Sequence, residues 1–155
     1  MAKVTCRALV LSLFVWAGAC GGSDAGSHAI GTGTLSGKIG GQAWSLESGE
    51  TDAFLSMDDP DFFTSLYTEA VAPCNGDGFS VASNQLIVMV PMTPGDHENS
   101  VTFVVNPQGA VKNLITTGHV VVDEVTATTV SGGIYAHYDG DNNVDGQFQA
   151  TICAQ

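Results

Sequence analysis

Basic residues are scarce in this chain. Four Lys and Arg stand against 16 Asp and Glu among 155 residues, a formal net charge of −12. A nucleic-acid partner is excluded on that ground, because phosphate contacts need a basic face that these residues cannot assemble. Charge of either sign is thin, at 13% of the chain, while 44% is hydrophobic. That balance excludes a disordered polyelectrolyte and fits one small globular domain. Long hydrophobic runs are also missing. The apolar stretch from Ala8 to Ala19 has twelve residues, against the roughly 20 that a helix needs to cross a bilayer core of about 30 Å. Motifs of familiar enzymes are absent too. There is no GxSxG elbow, no HExxH and no CxxC, and Gly31-Thr32-Gly33 misses the spacing of a dinucleotide loop.

What the chain does carry begins at its start. Lys3 and Arg7 precede the apolar run, and small residues Ala17, Gly18 and Ala19 follow it. This is the layout of a secretory signal over residues 1–19. Next come Cys20 and the Gly/Ser-rich stretch Gly21-Gly22-Ser23-Asp24-Ala25-Gly26-Ser27. The junction resembles the lipobox of bacterial lipoproteins, with Ala17 where that family usually has leucine. The resemblance implies that Cys20 carries diacylglycerol and palmitate, that residues 20–32 form a tether, and that the membrane is touched through the lipid alone. Gly21 in place of Asp implies the outer membrane if the organism is Gram-negative. The alternative is an ordinary cleaved signal with Cys20 a chance thiol. More than one acyl chain gives firm anchoring, and a flexible leash lets the domain clear the headgroups.

Processing also simplifies the cysteines. Cys6 leaves with the signal and Cys20 is lipidated, so Cys74 and Cys153 remain in an oxidising compartment. A Cys74–Cys153 disulfide is the simplest expectation, holding the last strand near the chain end. The rival is a metal or redox pair, which lacks both CxxC spacing and a nearby His-Cys cluster.

Beyond residue 33 the hydrophobic period is two. It predicts strands near Gly33–Ile39, Gln42–Ser48, Asp52–Met57, Phe62–Glu69, Gly78–Ala82, Gln85–Met92, Asn99–Asn106, Gly118–Thr128, Thr129–Tyr138 and Gly146–Ile152. Gly40-Gly41, the stretch Asn75 to Gly78 and Asp139 to Asp145 mark turns. Leu86 to Val90 and Val120-Val121-Val122 read as strands buried on both faces. Short strands in this number predict an all-β domain over 33–155, an antiparallel β-sandwich of immunoglobulin-like or related type, with a β-barrel as the alternative. The Gly-rich opening hairpin from Thr34 to Trp44 and the closing strand Gly146-Gln147-Phe148 to Cys153 resemble domains of secreted bacterial lipoproteins of unknown function. That resemblance implies the sandwich and carries over no catalytic residue.

Candidate sites are few. Asp141, Asn143, Asp145 and Gly146 match the first half of a D-x-N-x-D-G calcium loop, but the twelfth position holds Ile152 where a bidentate Glu belongs. Asp58, Asp59 and Asp61 around Pro60 read as a solvated turn before they read as acid and base groups. His28, His97, His119 and His137 are scattered along the chain, with His97 in a polar turn and no zinc spacing. Phe62, Phe63 and Tyr67 are candidate surface contacts for a protein or glycan. Adjacent phenylalanines cannot both point inward on a regular strand, so either one is exposed or a bulge buries both. The expectation is an exported, lipid-anchored, non-enzymatic binding or structural accessory module without a cofactor. Its alternatives are a calcium-dependent adhesion or carbohydrate-binding module and an envelope hydrolase with an acidic site.

Overall fold

The computed structural model describes residues 28–52, 55–56, 59–75, 83–106 and 110–153. The leader, Cys20, Asp58 and the expected strand at Gly78–Ala82 lie outside them. Nine strands follow in order: β1 Ser36–Ile39, β2 Gln42–Ser45, β3 Ser48–Asp52, β4 Asp61–Tyr67, β5 Gln85–Pro91, β6 Gly95–Val105, β7 Lys112–Val125, β8 Thr129–Asp139 and β9 Asn142–Thr151. No helix occurs among the described residues. The fold is therefore all-β, as the period of two requires.

From β3 to β9 each strand pairs antiparallel with the next, and β9 then pairs with β3, which closes a ring within one mixed sheet. The closing pair is parallel and has one register match, Glu50 opposite Thr151. The β1–β2 hairpin adds to the free edge of β9 through Ser36, Gly37 and Lys38. Gly40 and Gly41 both have positive φ, 61° and 74°, as a two-residue hairpin turn of this hand demands.

Alternate residues build the core. Leu86, Val88 and Val90 of β5, Val101 and Phe103 of β6, Val120 and Val122 of β7, and Val130, Ile134 and Ala136 of β8 are fully or almost fully buried. They join Leu35, Ile39, Trp44, Leu66, Val144, Phe148 and Ala150 in one cluster. Ile87 and Met89, on the other side of β5, are half-buried, so only one face of that apolar run enters the core. Val121 behaves likewise between buried Val120 and Val122.

Four boundaries differ from the sequence expectation. The strand expected from Gly118 already begins at Lys112, where Lys112 to Thr117 pair with Val105 to Ser100 of β6. The strand expected at Asp52–Met57 lies earlier, at Ser48–Asp52. It ends because Asp52 turns the chain, its carboxylate accepting from Leu55 N at 2.8 Å and its carbonyl from Ser56 Oγ at 2.6 Å. The polar stretch Gly95 to Asn99, expected as a turn, is the first half of β6 and pairs with Gly118 to Val122 of β7. The turn expected over Asp139 to Asp145 contracts to Gly140 and Asp141, with Asn142 already in β9.

Candidate functional site

Two polar clusters stand out, one at the ring closure and one on the outer face of β6 to β9. At the closure, Cys74 and Cys153 form a disulfide with a Cα–Cα distance of 5.3 Å. Their backbones are pinned beside it. Cys153 N donates to Thr51 Oγ1 at 3.1 Å, and Cys74 N donates to Glu50 Oε2 at 2.5 Å. Cys74 holds a φ of 65°, the left-handed region that a residue with a Cβ enters at a cost. Glu50 is 9% exposed, and its second oxygen accepts from the Tyr67 hydroxyl at 3.3 Å. Glu50, Cys74 and Cys153 bring their donor atoms within 4.8 Å of one another. Both sulfurs are spent on the disulfide, so the arrangement as it stands is a covalent clasp with a buried carboxylate and not a metal chelate.

Tyr67 is 2% exposed, which corrects its reading as a surface contact. Its parity on β4 sets it opposite Ser48 and Gln85, and the hydroxyl is committed to Glu50. Burial pushes its pKa up to about 12, with the Glu50 charge adding to the rise. Phe62 and Phe63 lie on a strand of continuous register, so they point to opposite sides. Phe62 packs against the core and Phe63 lies opposite Met89, both half-buried. Asp59 and Asp61 form the turn that was expected, Asp59 Oδ1 accepting from Asp61 N at 3.1 Å, while Asp61 Oδ2 accepts from Asn99 Nδ2 at 2.8 Å.

The residues of the calcium motif do not share one loop. Asp141 sits in the two-residue turn. Asn143 and Asp145 are in β9, opposite His137 and Tyr135 on one side and Lys38 and Ser36 on the other. Asp139, not Asp141, organises the turn. Its Oδ1 accepts from Asp141 N at 2.9 Å and from Asn142 Nδ2 at 2.8 Å. The bond from Asn142 lowers the Asp139 pKa. Asn142 in turn accepts from Gly40 N at 2.8 Å, tying this hairpin to the β1–β2 turn.

Three of the four histidines that looked scattered, His28, His119 and His137, lie close together, while His97 stands apart on β6 opposite Val120. Glu98, His119, Tyr135 and Asp145 stand in one cross-strand row on β6, β7, β8 and β9. Over this row lies the segment before β1. Gly31 N donates to Asp145 Oδ1 and Gln147 Nε2 donates to Gly31 O, both at 2.8 Å. The His28 ring stacks on Tyr135 with centroids 3.6 Å apart. His28, His119 and His137 line one cavity of about 160 Å³. His119 Nε2 donates to Asp96 Oδ1, and His28 Nε2 is 3.5 Å from Asp145 Oδ2. No sequence spacing could have signalled this grouping, since the four strands span some fifty residues of chain. The chain matches no family model, no curated protein and no solved structure.

Proposed function

We propose that the protein is an exported lipoprotein whose β domain acts as a non-enzymatic binding or accessory module of the cell envelope, tethered through Cys20. The observation that carries this reading is the cysteine arrangement. The domain's two cysteines are joined to each other, which fits an oxidising compartment. Cys20 is left immediately behind a leader of secretory layout. A further support is the segment from His28 to Thr34, which is bonded to β9 and stacks through His28 on Tyr135 of β8, so a tether ending there would grip the domain at a fixed point.

For the architecture we favour a closed barrel over two separate sheets, because the β9–β3 pairing joins the last strand of the meander to its first. Metabolic labelling with a fatty-acid probe tests the anchor. The wild-type chain takes up label and floats with membranes, and Cys20→Ala loses both; a labelled Cys20→Ala chain refutes the assignment.

A further inference from the structure

We propose that His119 is a protonation-controlled latch on the segment before β1. As an imidazolium it holds His28 against β8, and on losing a proton it lets that end go. The latch stands whether or not Cys20 is acylated. The His119 side chain is 11% exposed, and both of its ring nitrogens have partners. Nδ1 lies 3.2 Å from the carbonyl oxygen of His28, and Nε2 contacts Asp96 Oδ1. A carbonyl and a carboxylate accept hydrogen bonds and donate none. A neutral imidazole has one N–H and satisfies one of these acceptors, whereas the imidazolium has two and satisfies both.

The surroundings suit a positive ring. Asp96 and Glu98 of β6 face it, Glu98 directly opposite in register. From β8 come Tyr135, its register partner, and His137, which lines the same cavity. From the segment itself comes His28, whose ring stacks on Tyr135 and whose Nε2 is 3.5 Å from Asp145 Oδ2 of β9.

When one proton leaves to water, the other stays on Nε2, because the charge-assisted bond to Asp96 is the stronger of the two. The Nδ1 lone pair then faces the His28 carbonyl oxygen, and the bond between segment and strand is lost. The release is local. Gly31 stays tied to Asp145 and Gln147 at 2.8 Å each, so the end that moves is His28 to Ile30. Ile30 lies against Gly133, where a Cβ would come within 2.7 Å of Ile30 Cγ2. Movement of this end uncovers Gly133 and the Tyr135 ring.

The whole chain, labelled with 15N and 13C and held in detergent micelles, is followed by NMR at about pH 5.5 and about pH 8.5, on either side of the histidine range. Cross-peaks between the His28 and Tyr135 rings, with ordered amides at Ala29 and Ile30, are expected at the lower pH and lost at the higher. His119→Gln keeps a donor toward Asp96 but has none for His28, and it should lack the cross-peaks at both. Asp96→Asn should keep them at both, because its amide donates to Nε2 of the neutral ring and leaves the Nδ1 proton for His28. Asp96 is 68% exposed, so this variant keeps the fold. Equal cross-peaks at both pH values in the wild type, or wild-type behaviour in His119→Gln, would overturn the proposal. So would Asp96→Asn that still loses them at the higher pH, which assigns the response to the His28–Asp145 pair.

Discussion

Glu50 is the residue on which most depends. It is buried against a disulfide and satisfied by neutral donors, the Tyr67 hydroxyl and the Cys74 amide. Replacing it with Ala strands both donors in a dry setting, at a cost of about 2 to 4 kcal/mol, whereas Gln retains an acceptor and should cost less. Chemical denaturation of the two variants at neutral pH checks the order. Tyr67 supplies a pH dependence of known sign. Its folded pKa is raised from 10.0 to about 12, so its contribution is complete below pH 10 and is lost as pH rises toward 12, where the unfolded chain has already released the proton. Two pH units correspond to about 2 to 3 kcal/mol. Urea melts at pH 9 and 11.5 should show this loss in the wild type and a smaller one in Tyr67→Phe. Asp139 works in the opposite range. Its pKa is lowered by the bond from Asn142, so its contribution is present above pH 3.8 and lost as pH falls through the folded value. Asp139→Ala should lower the melting temperature at pH 7 and flatten the acid limb of the stability curve.

Among the elements, the β1–β2 hairpin depends on a residue outside any strand. Asn84 donates to Ile39 O at 2.7 Å, accepts from Trp44 Nε1 at 3.1 Å through its carbonyl, and accepts from Asn106 N at 2.9 Å through its side chain. Asn84→Ala removes two of these three bonds and should cost about 1 to 3 kcal/mol, read as a lower denaturation midpoint at constant slope. The strands themselves were largely legible. Period-two alternation located β4, β5, β8 and β9 to within a few residues because their inward positions are Val, Leu, Ile and Phe. It failed for the first half of β6, where Asp96, Glu98 and Ser100 face outward and Asn99 is held at the inner side by Asp61. A strand without apolar residues on either face reads as a turn. It failed at Asp52 as well, where one side chain bonded to Leu55 N ends a strand that propensity would extend. Of the candidate sites, the cysteine pair was legible because setting aside Cys6 and Cys20, as the expected leader and lipid site, leaves Cys74 and Cys153 as the one possible pair. Glu50 and the row of Glu98, His119, Tyr135 and Asp145 were not, since each is assembled by pairing between segments apart in sequence.

For the molecule as a whole, the disulfide and the ring closure act together. The bond spans 79 residues, and the chain-entropy model assigns such a loop about 4 to 5 kcal/mol. The double variant Cys74→Ser/Cys153→Ser should lose stability of that order in denaturant titrations. It should also lose protection at β3 first in hydrogen exchange, since β3 meets β9 through a single register pair.

That seam has a consequence in time as well as in strength. Every pairing from β3 to β9 except the last joins neighbours in the chain and can form as soon as both strands exist. The β9–β3 contact cannot, because it needs the final strand. Cys74 and Cys153 meet at that same corner in the folded chain, so ring closure is what holds the two sulfurs together for oxidation. The disulfide then serves as a completion mark. A thiol oxidant that finds these two sulfurs together has found a finished chain, and one that finds them apart has found a chain still open to proteolysis.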